Sequence, residues 1–167
     1  LSRWTAEDTI KSRLLSSDLP NNLKAIGTAI ESDIRQMKTI AWQIATNPYV
    51  NAWNSEGQNE SGEVFLESYL KGLTLEFGLS NASFSDKQTA RYWNQDGFLR
   101  VLQNDEADGW FYQYIASQQP SMTSLYVYKD TGEVDLFVNY QQVNGRGLAG
   151  VAKSFTHMAD QLKNYRI

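Results

Sequence analysis

Between Pro20 and Pro48 the chain places Leu23, Ile26, Ile30, Ile34, Met37, Ala41 and Ile44 at steps of three and four residues. That spacing draws one apolar stripe along an α-helix. With a proline at each end, residues 18–47 are read as one long helix, whose helical part of about 26 residues spans about 39 Å at 1.5 Å per residue. Such a helix is long for a chain of 167 residues. Ahead of it, Thr5 with Asp8 resembles a capping box, and a helix is expected over about residues 6–16. A third helix is expected from Gly62 to Phe77, with Gly78 placed to supply a left-handed C-terminal residue.

After Gly78 the pattern changes to strands. Ala82 to Ser85 and Ala90 to Trp93 read as two short ones, and residues 105–117 as a short helix. Ser124 to Lys129, Val134 to Val143 and Leu148 to Phe155 follow, separated by turns at Asp130-Thr131-Gly132 and Asn144-Gly145. Two consecutive hairpins make three adjacent antiparallel strands. A last helix is expected from Thr156 to Tyr165. The reading is an α+β domain, in the order helix, mixed centre, sheet, helix, with no repeat or linker to divide it.

Composition removes several functions. A net charge of −4 with basic residues scattered along the chain leaves no stripe for a phosphate backbone, so no nucleic-acid partner is expected. One histidine, His157, and no cysteine exclude the common zinc frameworks. No nucleophile elbow, metal motif or complete phosphate loop occurs, so neither an enzyme nor a bound cofactor is expected. No run of 18 apolar residues is present. The start at Leu1 and the helical-looking end at Ile167 suggest a domain excised from a longer protein.

Aromatic crowding is the feature that points to a site. Nine aromatic residues fall between Tyr92 and Tyr128, among them Trp93, Trp110, Tyr112 and Tyr126. Tyrosine and tryptophan combine apolar area with a polar handle, which suits the walls of a pocket for a small polar ligand. Core packing is the competing role for each of them. Strand alternation puts Tyr126 and Tyr128 on one face. Arg91, beside this cluster, offers a fork for a ligand carboxylate, or else a surface salt bridge. Lys153 is a second nearby cation, and Asn139 presents an amide either to a cavity or to solvent. Asp108, in the acidic group with Asp105 and Glu106, caps the short helix or meets a cationic ligand.

The order of elements and several local motifs resemble the Cache (PAS-like) extracellular sensor domains of bacterial transmembrane receptors. The resembling residues are Asp18-Leu19-Pro20, Ala45 to Val50 with Trp53, Tyr92-Trp93 with Asp96-Gly97, Asp108 to Tyr112, Val134 to Tyr140 and Gly147 to Ala152. The resemblance implies a long N-terminal helix packed on a five or six stranded antiparallel sheet, with a C-terminal helix and a ligand pocket over the sheet. It implies a periplasmic module between two transmembrane segments of a diguanylate cyclase, histidine kinase or chemoreceptor. Residues 1–17 and 156–167 would then be membrane-proximal helices, and 78–155 the sheet region. Amino-acid-binding members show Arg-x-Trp-Tyr on the short helix and an Asp on the last strand. Here Asp108 and Phe111 replace the Arg and Tyr, and Lys153-Ser154 lies near the strand position. The alternative from another class is a dimerisation or partner-binding module that uses the long helix and holds no small ligand.

Overall fold

The computed structural model describes residues 3–5 and 21–156. Helix α1, Asn21–Thr46, carries the stripe as expected: Ile30, Ile34, Met37, Ala41 and Ile44 are buried, joined by Ile40 and Ala45. Each large aliphatic side chain so buried contributes about 1.5–3 kcal/mol. The helix stops at Thr46, but the Asn47-Pro48 pair is a start signal as well as a stop. The Asn47 carboxamide oxygen accepts the Tyr49 and Val50 N–H groups, and Pro48 opens a short helix α2, Pro48–Ser55, that is not expected from the apolar periodicity. Helix α3, Glu60–Phe77, ends at Gly78 with φ of 64°, the left-handed residue expected there.

Among the described residues seven strands form one antiparallel sheet in the order β1-β5-β6-β7-β2-β3-β4. They are β1 (Arg3–Thr5), β2 (Asn81–Asp86), β3 (Arg91–Asn94), β4 (Gly97–Val101), β5 (Ser121–Val127), β6 (Val134–Gln141) and β7 (Gly147–Ser154), with helix α4 (Gly109–Ser117) between β4 and β5. The expected sheet is thus a six-stranded antiparallel one extended by a three-residue edge strand. Within the segment expected as a membrane-proximal helix, Arg3–Thr5 is instead this strand, pairing with Ser124 to Tyr126 and satisfying backbone groups on the open edge of β5. The rest of that segment, residues 6–20, lies outside the described residues, as do residues 157–167 and with them His157. Residues 155 and 156 are helical directly after β7.

The two faces of the sheet have different covers. Alternation sends Ala82, Phe84, Trp93, Leu136, Val138, Ala149 and Val151 to one face, where they form a single core with α1, α2 and α3. On the other face Leu148 packs with Ala90, Leu102, Phe111 and Tyr114 beneath α4. That second cover is small, and among the described residues it does not extend over the whole of this face.

Candidate functional site

The uncovered part of that face is a cavity of about 430 Å³, within the range of small-molecule sites. Its floor comes from the strands (Tyr92, Asn94, Tyr126, Phe137) and its rim from the 99–110 segment (Arg100, Asp108, Trp110). Tyr128 and Ser80 line it as well. Rings set the shape: Tyr126 meets Tyr128 edge-on with centroids 4.9 Å apart, and Phe137 at 6.0 Å.

The rim is held by an ion pair. Arg100 donates through Nη2 to Asp108 Oδ1 at 2.9 Å and through Nε to Oδ2 at 3.3 Å, and its guanidinium lies 5.6 Å from the centre of the Tyr92 ring. The Arg100 bond, outweighing burial, holds the Asp108 carboxyl below the usual carboxylate range, and the same bond raises Arg100. Asp108 therefore does not cap α4 with its side chain, although it precedes the first turn. Both expected roles, cap and free ligand contact, give way to the arginine.

Arg100 reaches the cavity because of a β-bulge. Tyr92 pairs with Arg100 and Trp93 with Phe98, so the register shifts between them and Leu99 is the extra residue. Phe98 stays on the helical side, its ring 5.6 Å from that of Trp93, while Arg100 turns to the cavity side. Without the bulge, residues two apart would share a face.

Behind two of these lining residues lies Asp135, 8% exposed and not itself in the lining: its Oδ2 accepts the Tyr128 hydroxyl at 2.9 Å and the Ser80 hydroxyl at 3.2 Å. Burial, with the neighbouring carboxylate adding to it, pushes the Tyr128 hydroxyl well above its ordinary value. Asn139, two residues beyond Phe137 on the same strand face, is 2% exposed, and its Nδ2 has no hydrogen-bond partner. It does not line the cavity, and Gly150 opposite gives it room, since a Cβ there would run into Oδ1.

Of the nine residues expected at a site, Asp108, Trp110, Tyr126 and Tyr128 line this cavity. Tyr112 donates its hydroxyl to the Leu102 carbonyl at 2.6 Å and packs against the second core instead. Arg91, Trp93 and Lys153 belong to the helical face. Trp93 is buried against Trp53 and Phe84 and donates to Glu63 Oε1 at 2.9 Å. Arg91 stacks on Phe98 at 4.4 Å and pairs with Glu63 at 3.9 Å. Lys153 pairs with Asp33 of α1 at 3.5 Å. Tyr92, of the aromatic cluster, and Arg100, a cation near it in sequence, also line the cavity but are not among the nine. Alternation next to Trp93 was the available signal.

A second cavity, of about 440 Å³, lies between α2 and α3 and is lined by Tyr49, Val50, Trp53, Phe65, Leu66 and Tyr69. It is almost wholly apolar, with no charged group to orient a polar molecule. Among the described residues no cluster of acids and histidines is arranged to hold a metal ion, and no helix is long and apolar enough to cross a membrane.

No known family model matches the chain. Its fold, however, superposes on solved sensor domains. The ligand-binding domain of the Campylobacter jejuni chemoreceptor Tlp3, in complex with L-valine, matches with a TM-score of 0.66 at 12% identity, over 96% of this chain and 65% of that one. The chain has the Cache sensor-domain fold. The sensor domain of the Vibrio cholerae histidine kinase DctB matches the Cache fold of this chain with a TM-score of 0.62 at 12% identity, over 95% of this chain and 60% of that one. The ligand-binding domain of Mlp24, solved with asparagine, gives 0.56 at 19% identity, over 93% and 61%. This Cache fold thus spans between 60% and 65% of the length of those solved domains.

Proposed function

We propose that the chain is an extracytoplasmic ligand-sensing domain of a transmembrane signalling protein, which binds a small polar molecule in the cavity over the sheet and turns nothing over. The observation that carries this reading is the cavity itself: aromatic walls and a charged rim converge from five strands and α4 on the sheet face opposite α1, α2 and α3. The Cache fold, shared with sensor domains of histidine kinases and chemoreceptors, supports it. A module that only dimerises through the long helix is less well supported, because α1 already commits its apolar stripe to the sheet.

Signal transfer would run through β7. That strand lies between β6 and β2, which both contribute to the cavity lining, and near its end Lys153 pairs with Asp33, tying it to the long helix. A shift of about 1–2 Å between these elements on ligand binding is a common size for such transitions, and a coupling of about 1–3 kcal/mol suffices to bias an output.

The test is a thermal-shift screen of the purified chain against amino acids, amines, organic acids and nucleobases, followed by calorimetry. A ligand at 100 times its Kd stabilises the fold by about 2.7 kcal/mol. Binding weakened at least tenfold by Trp110→Ala supports the assignment of the cavity. Undiminished binding in that variant, or no stabilising compound at all, refutes it. Spin labels on α1 and β7 then report whether their separation changes on binding.

A further inference from the structure

Among the described residues the most exposed large apolar side chains are Tyr49 at 85%, Phe65 and Leu75 at 79% and Val64 at 67%, and all four stand on α2 and α3. Helix α3 already commits one side, with Leu66 and Leu70, to the core. Phe65, Ser68, Gly72 and Leu75 follow one another at steps of three, four and three residues and draw a second stripe along the same helix, exposed throughout and without a charge. A Cβ added at Gly72 would meet nothing within 4 Å. Large apolar side chains gathered in this way mark an interaction surface. The long helix α1 has no such stripe to spare, because its own is buried against the sheet.

The stripe is complementary to a second copy of itself. Phe65 and Leu75 are equidistant from its midpoint, and so are Ser68 and Gly72. Two α3 helices running antiparallel about a two-fold axis therefore set Phe65 against the partner's Leu75 at both ends and Ser68 against the partner's Gly72 between them. The two bulky contacts stand about 15 Å apart along the helix, and the small pair lets the backbones approach. At each end the partner's Leu75 arrives at the mouth of the apolar cavity between α2 and α3, which Tyr49 and Phe65 flank, so cavity and stripe form one surface. Two aromatic side chains of about 150–250 Å² each, with two aliphatic ones, supply roughly half of the about 800 Å² that each partner buries in a standard interface. Polar residues on the same turns supply a rim. We propose that two copies of this chain associate through α3 in this antiparallel register, which leaves the cavity on the opposite face of the sheet free.

Sedimentation equilibrium of the intact chain tests this, up to about 0.5 mM. The expected result is a mass that rises with concentration to that of a dimer. Phe65→Lys and Leu75→Glu alter side chains that are 79% exposed, so both variants should fold, and each should raise the dimer Kd at least tenfold. An equimolar mixture of the two should associate at least tenfold better than either alone, because the mixed dimer sets the introduced lysine against the introduced glutamate and keeps Phe65 against Leu75 at the other end. The chain has no cysteine, so Ser68→Cys mixed with Gly72→Cys should give more disulfide-linked dimer under mild oxidation than either variant by itself. A monomer at every concentration overturns the proposal. In that case a Leu75→Glu variant less stable in urea than the wild type would show that another segment of this chain covers α3, and an equally stable one that the face serves a different partner. Dimerisation undiminished in both charge variants overturns it too, by placing the interface elsewhere. A mixture no better than its components overturns the register and the proposal with it. None of these outcomes bears on ligand binding over the sheet, which is decided by its own screen.

Discussion

Replacing Asp86 by alanine should destabilise the domain strongly without touching the cavity over the sheet. Asp86 ends β2, is fully buried, and faces a forked Arg146 with bonds of 2.9 Å to Oδ1 and 2.6 Å to Oδ2. It also accepts the Thr89 hydroxyl at 2.7 Å, the Asn54 amide at 3.2 Å and the backbone N–H groups of Gln88 and Thr89. One carboxylate thus joins α2, the β2–β3 turn and the β6–β7 hairpin. Burial by itself would raise its pKa, but the bonds from Arg146, Thr89, Asn54 and Gln88 outweigh that and bring it down to about 2. Removing one partner of a buried ion pair costs about 3–5 kcal/mol, and the lower half applies here because the Arg146 side chain, 32% exposed, can rehydrate. Urea denaturation at pH 7 should show a midpoint lowered by about 2 M, for a slope of about 1–3 kcal/mol per M. Because the folded pKa is depressed, the stabilisation from Asp86 is complete above its ordinary value of 3.8 and is lost as pH falls towards about 2. That pH-dependent part amounts to about 2 kcal/mol, and Asp86→Asn should remove it from the acid limb of the stability curve. Ligand affinity of the folded variant should stay at the wild-type value, since Asp86 and the cavity lie at opposite ends of β2. A loss below 1 kcal/mol in Asp86→Ala, or an unchanged acid limb in Asp86→Asn, would refute the reasoning.

Arg100→Ala leaves Asp108 buried without its cation. The Arg100 side chain is half exposed, so a modest loss of about 1–2 kcal/mol is expected in urea melts, together with a carboxyl pKa at Asp108 that returns upward, measurable by NMR titration. In Gly147→Ala the new Cβ would run into the Ala45 carbonyl, where the end of α1 approaches the start of β7. Backbone must shift to admit it, so a cost of about 1–3 kcal/mol should appear in thermal unfolding. Lys153→Met retains the apolar stem and removes one partner of an ion pair to a part-exposed Asp33. It should change stability by less than about 1 kcal/mol and leave ligand affinity in calorimetry unaltered.

Sequence periodicity located the long helix, the helix ending at Gly78 and both C-terminal hairpins, because each is a local pattern with its own punctuation. It missed α2, where the Asn47-Pro48 pair reads as a terminator but also caps a new helix. Strand β4 escaped because its mostly exposed residues, Gly97 to Val101, show no alternation of burial. Within the site, alternation correctly placed Tyr126 and Tyr128 together. Arg91 and Trp93, by contrast, are expected at the site together with the aromatic cluster, because alternation contains no sign: which of two neighbouring sets faces the cavity depends on which face α1 and α3 cover.

What the amino-acid order determined by itself, then, was the list of elements and the parity of each strand, both properties of neighbours in the chain. Tertiary structure alone decided that Arg91 stacks on the helical side while Arg100 meets Asp108 at the cavity rim, since one bulged residue in β4 reverses the face of everything after it. It alone brought Asp135 to the hydroxyls of Tyr128 and Ser80, because the surroundings of a buried carboxylate are a sum over segments that are distant in sequence and adjacent only after the sheet has formed.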